Sequence, residues 1–168
     1  MVELKRARAA ACFVGLSAAV GVSACSSGSS GSSNTTPNSG CTGDPRAETF
    51  SIDMTHIGDS KELSFVIASS NYTPPAVDDN TWTIKILDSS GQAVKDAVLS
   101  FPANDHPSDP WMPEHTHGDL PAKYTNNGDG TYAIAPLDFF MGGLWSTFIS
   151  AKTPSTADST TFTFCVNE

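Results

Sequence analysis

Residues 81–87, Thr81-Trp82-Thr83-Ile84-Lys85-Ile86-Leu87, decide the fold class because large apolar side chains recur at every second position. Successive side chains of a β-strand point to opposite faces of the sheet, so Trp82, Ile84 and Ile86 share one face. The stretch 63–69 repeats the pattern with Leu63, Phe65 and Ile67. Both stretches therefore predict strands with one buried face.

The same strand signal extends outward along the chain, and no segment has the apolar period of a helix. Clusters of Gly, Asn, Asp and Ser separate the candidate strands, as turns do. The further candidates are Phe50–Met54, Ala97–Phe101, Thr131–Pro136, Leu144–Ala151 and Thr160–Val166. About seven short strands in one domain predict an all-β fold, an immunoglobulin-like antiparallel β-sandwich of two sheets.

A local signature around Tyr132 supports this fold. Gly128-Asp129-Gly130-Thr131-Tyr132 places a tyrosine just inside a strand, after a glycine-rich turn. It resembles the tyrosine corner of immunoglobulin-like domains, in which the hydroxyl bonds back to an upstream backbone group. Antibody domains carry a cysteine two residues after this tyrosine, whereas this chain has Ile134. The sequence therefore predicts the sandwich without the antibody disulfide.

The beginning of the chain has the pattern of an export signal. Lys5, Arg6 and Arg8 precede an apolar run over residues 9–22, which is shorter than the ~20 residues of a membrane-spanning helix. Val22-Ser23-Ala24-Cys25 then resembles the lipobox of bacterial lipoproteins. We predict that residues 1–24 are a signal peptide and that Cys25 is acylated. An ordinary cleaved signal with an incidental cysteine is the alternative.

Residues 25–40 are rich in Ser and Gly and contain no charged or large apolar side chain. Such a segment buries too little surface to offset its ordering entropy, so we predict a disordered linker between the lipid anchor and a domain over residues 41–168. Ser26 follows the acylated cysteine, which by analogy with enterobacterial sorting favours the outer membrane. The predicted location is the bacterial cell envelope, facing the periplasm or the cell surface.

Charge and cysteine content narrow the function further. Loss of residues 1–24 removes three of nine basic and one of eighteen acidic residues, which leaves a net charge near −11. Such a surface repels nucleic acid, so no nucleic-acid partner is expected. Cys12 lies in the signal and Cys25 carries lipid, so Cys41 and Cys165 remain. Outside the cytoplasm we expect them to form a disulfide, with two free buried thiols as the alternative.

The sequence contains no nucleophile elbow, phosphate loop, dinucleotide fingerprint or paired-cysteine metal knuckle, and we predict that it is not an enzyme. The segment 105–119 instead gathers His106, His115 and His117 with Met112, near the acidic residues Asp109, Glu114 and Asp119. On an extended backbone the spacing of two would put His115 and His117 on the same side. Imidazole binds copper, zinc and nickel, and a thioether favours Cu(I).

The predicted metal ligands are therefore His115 and His117, a thioether from Met112 or Met141, and His106 as a fourth group. The pair Gly142-Gly143 would allow the close backbone approach that brings Met141 to the site, and the acidic neighbours would raise the local cation concentration. His56 is a weaker candidate and is better explained by packing at a sheet edge. The alternative for the whole segment is a solvated loop with Trp111 and Met112 as a hydrophobic plug.

Several motifs resemble a known family. Met112-Pro113-Glu114-His115-Thr116-His117-Gly118, Gly130-Thr131-Tyr132, Met141-Gly142-Gly143-Leu144-Trp145 and Asp88-Ser89-Ser90-Gly91-Gln92-Ala93-Val94 are similar, in order and spacing, to motifs of the YtkA-like/FixH-like family. The resemblance covers roughly residues 51–151. It implies an immunoglobulin-like sandwich, secreted or membrane-attached, that is linked to copper delivery or efflux and is not an enzyme.

The sequence thus predicts a lipid-anchored envelope protein that binds a transition metal, copper above all, as an accessory or scavenging module. Its predicted partner is the membrane, reached through the lipid on Cys25, and no residue pattern names a protein partner. The alternative is a metal-free immunoglobulin-like interaction module displayed on a flexible tether. Convergent side chains in the segment 106–117 would favour the first function, and splayed side chains the second.

Overall fold

The computed structural model describes residues 40–101, 109–119 and 121–168 of the chain. The predicted signal peptide, the lipidation site Cys25, nearly all of the linker and the candidate ligand His106 lie outside the described residues. Within them, no helix has the length and apolar character that a membrane crossing requires.

The described chain forms two antiparallel sheets, which confirms the predicted all-β sandwich. One sheet has the order β1-β2-β3-β8-β7, and the other the order β10-β9-β5-β6 with β4 paired to β9. The strands are β1 Thr55–Ile57, β2 Leu63–Ser70, β3 Asp79–Asp88, β4 Val98–Ser100, β5 Trp111–Met112, β6 His117–Gly118, β7 Lys123–Asn126, β8 Thr131–Asp138, β9 Gly143–Lys152 and β10 Ala157–Val166.

The alternating side chains of β3 form the centre of the core, as the sequence predicts. Trp82, Ile84 and Ile86 are fully buried, and Phe65 of β2 lies opposite Ile86 in the register. The Trp82 ring reaches the other sheet, where it meets Phe164 of β10 edge-on at a centroid distance of 5.6 Å. Burial of aromatic and branched side chains between the sheets is the main stabilising contribution in such a sandwich.

The predicted tyrosine corner is present. The Tyr132 hydroxyl donates to the carbonyl oxygen of Val94 at 2.8 Å and accepts the backbone N–H of Ala97 at 3.0 Å. Gly130 precedes it with φ +95°, a conformation that favours glycine. The Tyr132 hydroxyl thereby fixes the segment that leads into β4.

The first predicted strand is wrong in position. Residues 50–54 are not a strand, because Asp53 adopts a φ of +65° and the Met54 N–H bonds to the Ser51 carbonyl across a turn. Strand β1 begins only at Thr55, and Phe50 still packs edge-on against Phe164. Phe50 and Met54 pack against the core, whereas Ile52 is 38% exposed, so the alternation in this stretch does not correspond to one buried strand face.

The predicted disulfide is confirmed: Cys41 and Cys165 are bonded, with their Cα atoms 5.5 Å apart. Cys165 lies in β10 opposite Leu144 of β9. The bond joins the first described residues of the domain to its last strand, close to the end of β9 from which the candidate site is built.

Candidate metal site

The candidate ligands lie on a small hairpin at the edge of the second sheet. Met112 of β5 pairs with His117 of β6, and Trp111 attaches the hairpin to β9 through Ser146. Pro113 follows Met112 and restricts the chain where the turn begins. The turn closes at Thr116, which adopts a φ of +53°, unusual for a β-branched residue.

The backbone from His115 to His117 is not extended throughout, because it turns at Thr116, so that part of the prediction is wrong. His115 lies in the turn and His117 in β6, and the turn itself brings their rings together, with centroids 5.4 Å apart and planes tilted by 58°. His115 is exposed and His117 is half-buried. The two imidazoles are therefore neighbours at the protein surface, with the His117 ring the more buried of the two.

The Nδ1 atom of His117 is the most informative atom of the hairpin. It is buried and has no hydrogen-bond partner among the described residues. A buried polar atom without a partner costs about 1–3 kcal/mol. The indole Nε1 of Trp82 in the core is likewise buried without a partner among the described residues, so the chemistry of each atom decides what it can do. An imidazole nitrogen that carries a lone pair can bind a transition metal, whereas an indole N–H cannot, and the imidazoles and thioether of the hairpin are donors that would suit such an ion.

Met112 is the methionine that lies beside the His117 side chain. Directly opposed residues of an antiparallel pair project to the same face, so the side chains of Met112 and His117 point the same way. Met112 is 1% exposed, and its methyl group occupies the space that a Cβ on Gly143 would need. Met112 and His115 also line one cavity of about 60 Å³ with Gly143, Leu144 and Gly40.

Met141, the other predicted thioether, is half-buried and packs against the core. Its carbonyl oxygen accepts the indole N–H of Trp145 at 2.9 Å. The glycine pair that was expected to admit Met141 instead admits Met112, because Gly143 with φ +151° lies under the Met112 methyl. Of the two methionines, Met112 is therefore the one that lies directly opposite His117.

His56 has a structural role, as expected. Its Nε2 lies 2.5 Å from a Glu48 carboxylate oxygen, its Nδ1 lies 3.1 Å from the Thr160 hydroxyl, and its ring stacks on Phe162 at 4.2 Å. Both ring nitrogens are thus engaged, and the side chain joins β1 of one sheet to β10 of the other.

The three acidic neighbours of the histidines do different things, which corrects the expectation that all of them attract cations. Asp109 is fully buried, where its carboxylate accepts the Phe148 N–H at 2.9 Å and the Tyr124 hydroxyl at 3.1 Å. Burial outweighs these hydrogen bonds and raises the pKa of Asp109 to about 7. Glu114 at the hairpin turn is ion-paired with Arg46. Of the three, Asp119 is the one that adds negative charge, and it raises the pKa of nearby Asp138 after the larger effect of burial.

Arg46 ties the hairpin turn to the start of the domain. Its guanidinium also pairs with Asp44 at 2.6 Å, three residues after the disulfide cysteine Cys41. An exposed ion pair of this kind is screened by solvent, so it orients the turn without fixing it.

Sequence reasoning missed Phe140, which follows β8. Its ring stacks on His117 with centroids 5.3 Å apart and planes 25° apart, and it meets Trp145 edge-on at 5.1 Å. No local pattern signals this contact, because it depends on how the loop 139–142 lies against the hairpin.

The described residues contain no group of three or more His, Cys, Asp or Glu side chains that could hold a metal ion. A metal at the hairpin would therefore be bound by two imidazoles and a thioether. Methionine is not one of those four residue types. Sulfur ligation suits soft ions such as Cu(I).

The comparison with protein families bears on the same region. The sequence model of the family described as YtkA-like matches residues 58–149. The chain belongs to the YtkA-like family. The matched part runs from the turn before β2 into β9 and so contains the hairpin, Phe140 and Gly143 of the YtkA-like domain. No curated protein and no solved structure matches the chain.

Proposed function

We propose that this YtkA-like domain is a copper-binding module, with His115, His117 and Met112 as its ligands. The observation that carries the proposal is the buried, unpartnered Nδ1 of His117. A second imidazole lies 5.4 Å away between ring centroids, and a buried thioether occupies the directly opposed strand position.

The donor set supports copper over other metals. Imidazole alone would serve zinc, nickel or copper, whereas a thioether adds a preference for Cu(I). His106 and Met141 remain proposed additional ligands from the sequence. Bound to these residues, the ion supplies no chemistry beyond storage and transfer, which suits an accessory or scavenging module.

We also propose that the domain is held at the cell envelope by a lipid on Cys25, with the outer membrane favoured and the linker 25–40 as a tether. The support is the lipobox-like sequence after a basic and an apolar segment. The three acyl chains that the lipobox resemblance implies exceed the two signals that stable anchoring needs. Mass spectrometry of the mature N-terminus should show acylated Cys25. An unmodified residue there, or unchanged membrane fractionation of Cys25→Ser, would contradict the proposal.

The metal site is tested by titrating Cu(I) and Cu(II) into the wild type and into the His115→Ala/His117→Ala variant. We expect tight Cu(I) binding by the wild type and a loss of at least about 100-fold in the variant, since ligands are removed outright. Binding should weaken as pH falls through the range of histidine, because a protonated imidazole cannot ligate.

The matched control for this titration is His56→Ala, which removes a histidine away from the hairpin and should leave the copper affinity unchanged in folded protein. Equal affinity of wild type and double variant, or no binding tighter than micromolar by either, would refute the site.

The alternative is a metal-free interaction module. Trp111 is only 8% exposed and Met112 only 1% exposed, and this burial favours the alternative because it matches the hydrophobic plug that the sequence also allows. The same titration separates the two functions: an intact fold with no copper binding would leave the interaction module in place.

A further inference from the structure

Phe140 carries a partly exposed aromatic ring that lies over His117. It is 44% exposed, although the neighbouring Phe139 is 1% exposed and lies in the core. An exposed phenylalanine gains little from burial, so packing stability alone gives a weak reason for its orientation. Its face nevertheless lies against the imidazole of His117 at 5.3 Å.

The ring is held in this position from behind. Its edge contact is Trp145, which is 1% exposed and is itself fixed by the 2.9 Å hydrogen bond from its indole N–H to the Met141 carbonyl. Trp145 also contacts Phe139 at 5.5 Å. Phe140 cannot turn inward, because the space behind it is filled, and so it stays over His117.

A stacked ring covers one face of His117 and leaves its nitrogen lone pairs free, since they lie in the plane of the imidazole. The Phe140 ring shields from water the face of the imidazole that it covers. Cu(I) is satisfied by two or three soft ligands, whereas Zn(II) and Cu(II) complete a larger shell, in open sites with water. Exclusion of water therefore penalises the divalent ions more than Cu(I).

We propose that Phe140 is a specificity-determining residue of this site, one that favours Cu(I) over divalent ions by covering His117. The inference rests on the proposed function and adds a residue outside the ligand set that controls which ion the site selects. Phe140 is not a ligand itself; it acts through the imidazole that it covers.

The test compares the full-length protein with Phe140→Ala, Phe140→Leu and Val98→Ala. Val98 is a matched control because it is an apolar residue, 68% exposed, on β4, which pairs with the opposite end of β9. Cu(I) affinity is measured by competition with a chromogenic chelator, Zn(II) affinity by titration, and the rate of copper oxidation in air by absorbance. Thermal unfolding checks that each variant is folded.

We expect Phe140→Ala to lower the ratio of Cu(I) to Zn(II) affinity about tenfold and to speed copper oxidation. Tenfold is the lower limit of the change in metal affinity that is typical when a residue in contact with a metal ligand is substituted. Phe140→Leu, which keeps an apolar cover, should retain most of the selectivity, and Val98→Ala should match the wild type. An unchanged ratio in folded Phe140→Ala, or a loss in Phe140→Leu equal to that in Phe140→Ala, would overturn the proposal. Failure of the wild type to bind either ion would instead refute the metal site itself.

Discussion

Substitution of Gly143 by alanine tests the packing on which the candidate site depends. Gly143 has a φ of +151°, and a Cβ at this position would collide with the methyl group of Met112. The unfavourable backbone conformation costs about 1–3 kcal/mol for a residue with a side chain. Displacement of a buried methionine in a packed core costs about 1–3 kcal/mol more. We therefore expect Gly143→Ala to lower the free energy of unfolding by about 2–6 kcal/mol and to weaken copper binding by moving Met112.

Two comparisons separate the contributions in this prediction. Gly91→Ala is the control for the backbone term, since Gly91 also has a positive φ, +80°, but nothing within 4 Å of its missing Cβ. The double variant Gly143→Ala/Met112→Ala removes the collision, so the two changes should couple favourably by about 1–3 kcal/mol in a double-mutant cycle. Urea denaturation supplies all four free energies. Additive effects, or equal losses in Gly143→Ala and Gly91→Ala, would refute the packing of Met112 on Gly143.

Three further predictions concern the rest of the domain. Asp158→Asn should destabilise the protein by about 1–3 kcal/mol at pH 7, because the carboxylate accepts backbone N–H groups such as that of Leu63 at 3.0 Å. Burial raises the pKa of Asp158, but the backbone N–H donors together outweigh burial and lower it. The stabilisation by the carboxylate is therefore present above the pKa of the unfolded state and is lost as pH falls through the pKa of the folded state. The difference in stability between variant and wild type should accordingly shrink in acid. Reduction of the Cys41–Cys165 bond, which spans 124 residues, should lower the free energy of unfolding by about 5 kcal/mol in the chain-entropy model, and undiminished stability in a dithiol would contradict this. Burial raises the pKa of Asp109 to about 7, so between about pH 4 and 7 the folded state holds a proton that the unfolded state has lost. The stability of the wild type should therefore fall as pH rises through this range. If the stability of Asp109→Asn falls with the same slope as that of the wild type, this carboxyl is not responsible.

Apart from the three-residue β4, which lies inside the predicted run Ala97–Phe101, the strands that sequence reasoning found are those long enough to show a period. Strands β2, β3, β8, β9 and β10 have eight to ten residues, and each coincides with a predicted run. Strands β5 and β6 have two residues each, too few for any alternation, and they exist because β9 and the turn hold them. Period two along the chain therefore predicted the sandwich and missed the hairpin on which the candidate site lies.

The candidate site was predictable by residue type but not by geometry. The spacing of His115 and His117 identified them as a pair, whereas the positive φ of Thr116 that bends the chain between them has no clear signal in a β-branched residue. Gly142-Gly143 indicated a close approach, but which methionine approaches is decided by the pairing of β5 with β6. Asp109 looked like a surface charge, and only the fold buries it against Tyr124.

The two functions considered for the hairpin differ at a single atom. A hydrophobic plug accounts fully for the burial of Trp111 and Met112, and it would be served equally well by an apolar residue opposite Met112. Position 117 instead carries a histidine whose Nδ1 is buried without a partner, which costs stability that a plug has no reason to lose. The loss is recovered if that nitrogen binds an ion that Met112 and His115 also contact. A His117→Leu variant that is more stable than the wild type without metal, and less stable than it with Cu(I), would show this exchange directly.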